Sequence, residues 1–286
     1  MAMPQPARLR PRAVTAFALS VALPCAAAGQ TPRTLPLEPA RERGASVTPA
    51  YEGWFENADG TFSLLVGYFN RNKSETLDIP AGPNNRIEPG DPDQGQPSHF
   101  QTGRQWGVFV IKVPKDFGTK VITWTIVSNG EAQSIPLTLH KGYPITPYKE
   151  AGMGNQPPVF TFTQGGPKVT GPPVGISATM TATVNQPLTL SVWVEDPKET
   201  EVGHAPAKPP TSVATASFHK FRGPGKVTFD PVRVPVTKQG DMASTAATFS
   251  LPGEYLLRVQ GNDESGEGGF GFQCCWTNTY VKVSVK

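Results

Sequence analysis

Cysteine is scarce in this chain of 286 residues, which holds only Cys25, Cys274 and Cys275. So few cysteines exclude a disulfide-stapled scaffold, and no Cys-x-x-Cys or His-x-x-x-His spacing supplies a zinc site. Helical periodicity is almost missing. Catalytic signatures are missing too: there is no nucleophile elbow, no metalloprotease His-Glu-x-x-His, no P-loop and no dinucleotide-type glycine run. Arg222-Gly-Pro-Gly225 is a tight turn and not a phosphate cradle, because no helical pattern follows it. Charge of one sign is lacking: the formal net charge is +3. Arg8, Arg10 and Arg12 account for that excess, so nothing argues electrostatically for nucleic acid.

Those arginines belong to a leader. They precede the apolar run 13–23 and the small residues Ala26, Ala27 and Ala28, the three-part pattern of a secretory signal peptide over 1–28. The run is too short and too alanine-rich to span a bilayer, and no later segment does better. Pro24 stands directly before Cys25, where a lipoprotein signal carries a small residue, which argues against a lipid anchor there. Export implies a periplasmic or extracellular protein. An N-glycosylation sequon at Asn72-Lys-Ser74 is without use behind a leader of bacterial type.

What is abundant is turn chemistry and alternation. Glycine (29) and proline (31) are interleaved with Val, Thr and Phe runs, which indicates many strands joined by turns. Residues 29–47 read as a flexible leader. Strands then begin near Tyr51, with Asn57-Ala-Asp-Gly60 as a hairpin turn. They continue at 106–113, 121–127 and 133–140, with Ser128-Asn129-Gly130 turning the last two into a hairpin. The stretch from Pro80 to Arg104 reads as one long loop. Residues 143–157 read as a linker, and a second series of strands follows at 183–195, 213–221 and 226–230. The last run alternates Ala247, Phe249 and Leu251, turns at Pro252-Gly253, and alternates again through Tyr255, Leu257 and Val259. It ends on Val281, Val283 and Val285. Period-two alternation of this kind marks half-buried antiparallel strands.

The segment 183–286, with Asp196-Pro197 at a strand end and LPGEYLLRV at 251–259, resembles the bacterial immunoglobulin-like superfamily that includes PKD and cadherin-like domains. The resemblance implies that 244–286 supplies the E, F and G strands of a sandwich. It also places Tyr255 at the tyrosine-corner position, where the hydroxyl bonds back to the chain. The expected architecture is all-β: two tandem Ig-like sandwiches, 48–142 and 158–286, following the signal peptide.

Three features are candidates for chemistry. Cys274-Cys275 lies in Gly-Gly-Phe-Gly-Phe-Gln-Cys-Cys-Trp, and with Cys25 removed a vicinal disulfide is the one intramolecular bridge available. Adjacent Cα atoms are about 3.8 Å apart, below the usual disulfide range of about 4.4–6.8 Å, so such a ring is strained. Buried thiols, a metal site and an intermolecular bridge are the other readings of the pair. Together with Phe270, Phe272 and Trp276 it forms a candidate recognition edge on the F–G loop. Second, aromatic residues crowd the first segment. Trp124 shares a face with Ile122 and Ile126 and belongs to the core. Trp54 and Phe55 are adjacent and point to opposite faces, so Trp54 and Trp106 are candidate stacking platforms for sugar, or else pack between domains. Third, Glu88, Asp91 and Asp93 are carboxylates that a calcium ion takes in other contexts, but with no EF-hand spacing they read as a solvated loop. The sequence therefore points to an exported, non-enzymatic binding or structural protein without cofactor or metal, meeting a protein or glycan at the cell envelope. A carbohydrate-binding module and a metal- or redox-responsive protein are the alternatives.

Overall fold

The computed structural model describes residues 39–150, 154–197, 212–263 and 274–286. The signal peptide, Phe270 and Phe272 lie outside these residues. Among the described residues there are strands and no helix, as the alternation predicts. In chain order they are β1 (Val47–Glu56), β2 (Phe62–Asn70), β3 (Leu77–Asp78), β4 (Asn85–Glu88), β5 (His99–Phe100), β6 (Gly103–Val113), β7 (Ile122–Ser128) and β8 (Glu131–Leu137). After these come β9 (Val159–Thr161), β10 (Ile176–Ala182), β11 (Leu188–Glu195), β12 (Ala214–Arg222), β13 (Val227–Asp230), β14 (Arg233–Val236), β15 (Met242–Phe249), β16 (Gly253–Asn262) and β17 (Trp276–Val285).

The first eight strands form a small sandwich. One sheet has the order β1-β2-β6 and the other β4-β7-β8, with β3-β5 as a short ribbon beside them. Leu64 and Val66 of β2 and Phe109 and Ile111 of β6 meet Ile87, Ile122, Trp124 and Ile126 across the core. Trp124 is completely buried, and its Nε1 donates to Asn85 Oδ1 at 2.9 Å. Asn129 (φ 50°) and Gly130 (φ 81°) make the turn between β7 and β8, the left-handed pair that a two-residue hairpin needs.

The stretch read as one long loop, 80–104, is in fact partly stranded. β4 pairs with β7, and the Ile87 side chain is fully buried. The side chain of Asn85 donates to Ile79 O and Pro97 O, and Gln96 Nε2 donates to Asn85 O, so polar side chains close the loop on itself. Asp93 is held by a two-pronged contact with Arg222 (2.7 and 2.9 Å), and Glu88 by Arg86. The stretch before β1, read as flexible leader as far as residue 47, is also tied down from Arg41 onward. Arg41 N donates to Arg71 O, and Ala45 and Val47 are fully buried.

The remaining strands form an immunoglobulin-like sandwich with sheets β10-β17-β16-β12-β14 and β13-β15-β11-β9. β15, β16 and β17 occupy the E, F and G places: β15 lies in one sheet, and β16 and β17 are neighbours in the other. Pro252-Gly253 carries the chain from one sheet to the other. Leu190, Val192, Ala247 and Phe249 face Leu257, Val259, Val281 and Val283 in the core. Three strands, β9, β10 and β14, have no counterpart in the sequence reading. β9 and β14 are only three and four residues long, and β10, an edge strand parallel to β17, turns only the partly buried Ala178, Met180 and Ala182 to the core.

Tyr255 closes the E–F corner. Its hydroxyl donates to Leu251 O (2.8 Å) and accepts from Gly225 N (3.0 Å), while the ring is 1% exposed. Tyr255→Phe leaves the core volume unchanged but strands a buried N–H and a carbonyl. It is expected to cost about 1–2 kcal/mol, read as a lower urea midpoint with an unchanged slope.

Candidate functional site

The β1-β2-β6 sheet is covered on both faces, and its second face is where the two sandwiches meet. Phe55 and Leu65 point away from the first core and pack on Trp276 at the start of β17. The chain slips register twice here. β1 has an irregularity between Tyr51 and Gly53, which turns Glu52 inward, and the β2–β6 pairing shifts between Val66 and Tyr68. Two glycines make the room. A Cβ on Gly67 would clash with Glu52 Oε1 and Gln105 O, and a Cβ on Gly107 would clash with Trp276 Nε1.

Glu52 fills that space. Its side chain is 1% exposed, with Oε1 accepting from Arg104 Nη2 (2.9 Å) and Oε2 from Gly107 N (2.8 Å). Burial outweighs the attraction of Arg104 and the hydrogen bonds, and pushes the carboxyl up to about 7.

Opposite lies the outer face of the β10-β17-β16-β12-β14 sheet. Residues paired across strands share a face, so two rows can be read off the register: Ser217–Gln260–Asn278 and His219–Arg258–Tyr280. An outer face this polar would suit solvent, yet Arg258, Gln260 and Asn278 are almost wholly buried. β6 covers them. Asn278 Nδ2 donates to Trp106 O and Gly107 O (both 2.9 Å), Tyr280 Oη donates to Val108 O (2.6 Å), and Arg258 Nη2 donates to Gln105 Oε1. Tyr280 and Phe221 reach into the first core itself. Burial pushes the Tyr280 hydroxyl up, and Tyr68 up to about 12, so both stay neutral, Tyr280 donating to Val108 O and Tyr68 accepting from Gln101 N. A seam of directional bonds, unlike an apolar contact, fixes the angle at which the two sandwiches dock.

The residues singled out in the sequence fall around this seam. Trp276 is 2% exposed, with its ring 6.2 Å from Trp106. Trp106 is half-buried, and the Arg104 guanidinium stacks over it at 3.9 Å. Trp54 lies on the other face of β1, edge-on to Phe62 (5.5 Å), with Nε1 donating to His140 O. Trp54, Trp106 and Trp276 therefore form no common platform. Cys274 and Cys275 are both buried thiols, and both donate to Asn155 O, at 3.7 and 3.5 Å. Cys275 has a left-handed backbone (φ 78°). The hydrogen bond with Cys274, then burial, pushes its thiol well up, so it stays protonated at neutral pH, the unreactive form. Among the described residues no three His, Cys, Asp or Glu side chains gather as a metal site.

Sequence reasoning missed Glu52 and Arg258. The one available signal was a charged residue within an alternating strand on either side: Glu52 between Tyr51 and Gly53, and Arg258 between Leu257 and Val259.

No family model matches the chain, and no curated protein matches it. Solved structures do. Domains 4 and 5 of the S-layer protein SbsC align over 84% of this chain and 98% of that one, at 12% identity and a TM-score of 0.24. The D00-D0 domain of Intimin aligns over 83% and 99%, at 11% identity and 0.25. The fibronectin(III)-like modules of Clostridium thermocellum CbhA align over 84% and 94%, at 13% identity and 0.22. The Ig-like assignment rests on strand order and register.

Proposed function

We propose that this chain is an exported, non-enzymatic structural and binding protein of the cell envelope, in which two β-sandwiches act as one rigid body. The observation that supports it most is the seam itself. Arg258, Asn278 and Tyr280 have been placed on an outward sheet face and then buried, each bonded to β6. Buried polar groups cost free energy unless bonded in one geometry, so a seam of this kind suits a protein whose work is to hold a fixed shape. The leader pattern at 1–28 supports export, and the neutral remainder of the chain suits a partner met by shape and hydrogen bonds.

Expression of the full chain in a bacterium, followed by fractionation and intact mass measurement, tests this reading. The expected product is a protein trimmed near residue 28, recovered from the periplasm or medium and cross-linked there to an envelope component. An untrimmed chain retained in the cytoplasm would reject it.

A further inference from the structure

The polar row on β12 and β16 does not end in the seam. His219 leaves it and lines an open cleft of about 580 Å³ between the 76–101 region and β12–β13, a size typical of small-molecule sites. Asp78 organises the floor. Its Oδ1 accepts from His99 Nδ1 at 2.8 Å and from Lys220 Nζ at 2.9 Å. Lys220 comes from the second sandwich and is 5% exposed, while Asp78 and His99 come from the first. Lys220 has three N–H bonds, and Asp78 is its one acceptor among the described residues. With Nδ1–H on Asp78, the neutral His99 ring keeps Nε2 as an acceptor for a ligand hydroxyl.

The charge around the cleft is cationic. Lys220 and Lys226 line it against the single carboxylate of Asp78. Burial alone would raise Asp78, but the hydrogen bonds from His99 and Lys220 outweigh it and bring it down to about 2, so it stays ionised. Burial, then Arg258, Arg233 and His99, hold His219 well below 6.5. Phe229 supplies an apolar wall, half-buried before any ligand arrives.

From this geometry we infer that the cleft binds a small organic carboxylate of the acidic-sugar class: the anion on Lys220, a ring hydroxyl donating to His99 Nε2, and the ring against Phe229. The site draws donors from both sandwiches, so it is complete only when they are docked. It goes beyond the envelope role, which fractionation tests separately and which stands if the cleft proves empty.

D-Glucuronate is the probe, with D-glucose and inorganic phosphate as comparisons, followed by NMR of the histidine side chains in the full mature chain. The expected result is glucuronate binding at least tenfold tighter than glucose, with the His219 signal titrating at a pH about one unit higher when the site is filled. Lys220→Met and His99→Gln should each weaken binding about tenfold. If Lys220→Met does not fold, Lys226→Gln at the exposed rim decides, with a threefold or greater loss expected. Glucuronate binding no tighter than glucose, phosphate binding tighter than glucuronate, or unchanged affinity in the folded variants would each overturn the assignment.

Discussion

Trp276→Ala is expected to remove about 2–4 kcal/mol of stability and to split unfolding into two steps. The ring is 2% exposed and packs on Phe55, Leu65 and Gly107, so its truncation opens a cavity between the sandwiches. Cavities left by large aromatic side chains typically cost about 3–5 kcal/mol. Part of that is offset because Nε1 is buried without an acceptor among the described residues, and removing it relieves a desolvated donor. Trp276→Phe keeps most of the volume and should lose about half as much. Urea unfolding followed by far-UV circular dichroism checks both. For the alanine variant the account requires a biphasic curve or a reduced slope, since the sandwiches then unfold separately. A single transition at the unchanged midpoint would show that Trp276 does not couple them.

The second large effect is a pH dependence from Glu52. Burial pushes its carboxyl up to about 7 in the folded chain, against 4.5 for an ordinary glutamate. Between those values the folded protein holds a proton that the unfolded chain has released, so stability falls as pH rises. The contribution is fully present below pH 4.5 and gone above about 7, and a shift of this size amounts to roughly 3 kcal/mol. His219 acts in the opposite direction, since its depressed folded value means that stability is lost as pH falls through 6.5 and below. The net curve of the native protein therefore mixes the two. Glu52→Gln isolates the first, because glutamine keeps an acceptor for Gly107 N but does not ionise. The stability difference between the native chain and the variant should move in the variant's favour by roughly 3 kcal/mol from pH 4.5 to 8. Parallel curves across that range would mean that Glu52 is not a buried, proton-sharing group.

The second sandwich was largely legible because its core strands bury one face each. In β15, β16 and β17 alternate residues point to one core, and period two survives in the sequence. Tyr255 was legible because the corner depends on local spacing from a turn. The seam was not legible. Trp54 and Phe55 put rings on both faces of β1, which left open whether the second face is covered or exposed. Glu52 enters the interior through a register slip, and such a slip leaves no trace in a hydrophobic pattern. Arg258, Gln260 and Asn278 looked like the solvent face of their strands, since only the packing of β6 on them distinguishes a covered polar face from an exposed one. Trp276 was singled out for its setting beside Cys274 and Cys275. Its place under Gly107 depends on a glycine 169 positions away. β10 escaped notice because it is an edge strand whose core-facing residues, Ala178, Met180 and Ala182, are small or only partly buried.

The central claim is that the polar seam makes one cooperative body of two sandwiches. Differential scanning calorimetry of the mature chain tests it most directly. The account predicts one heat-absorption peak whose calorimetric and van't Hoff enthalpies agree. Two resolved peaks, each with the enthalpy of a single sandwich, would contradict it.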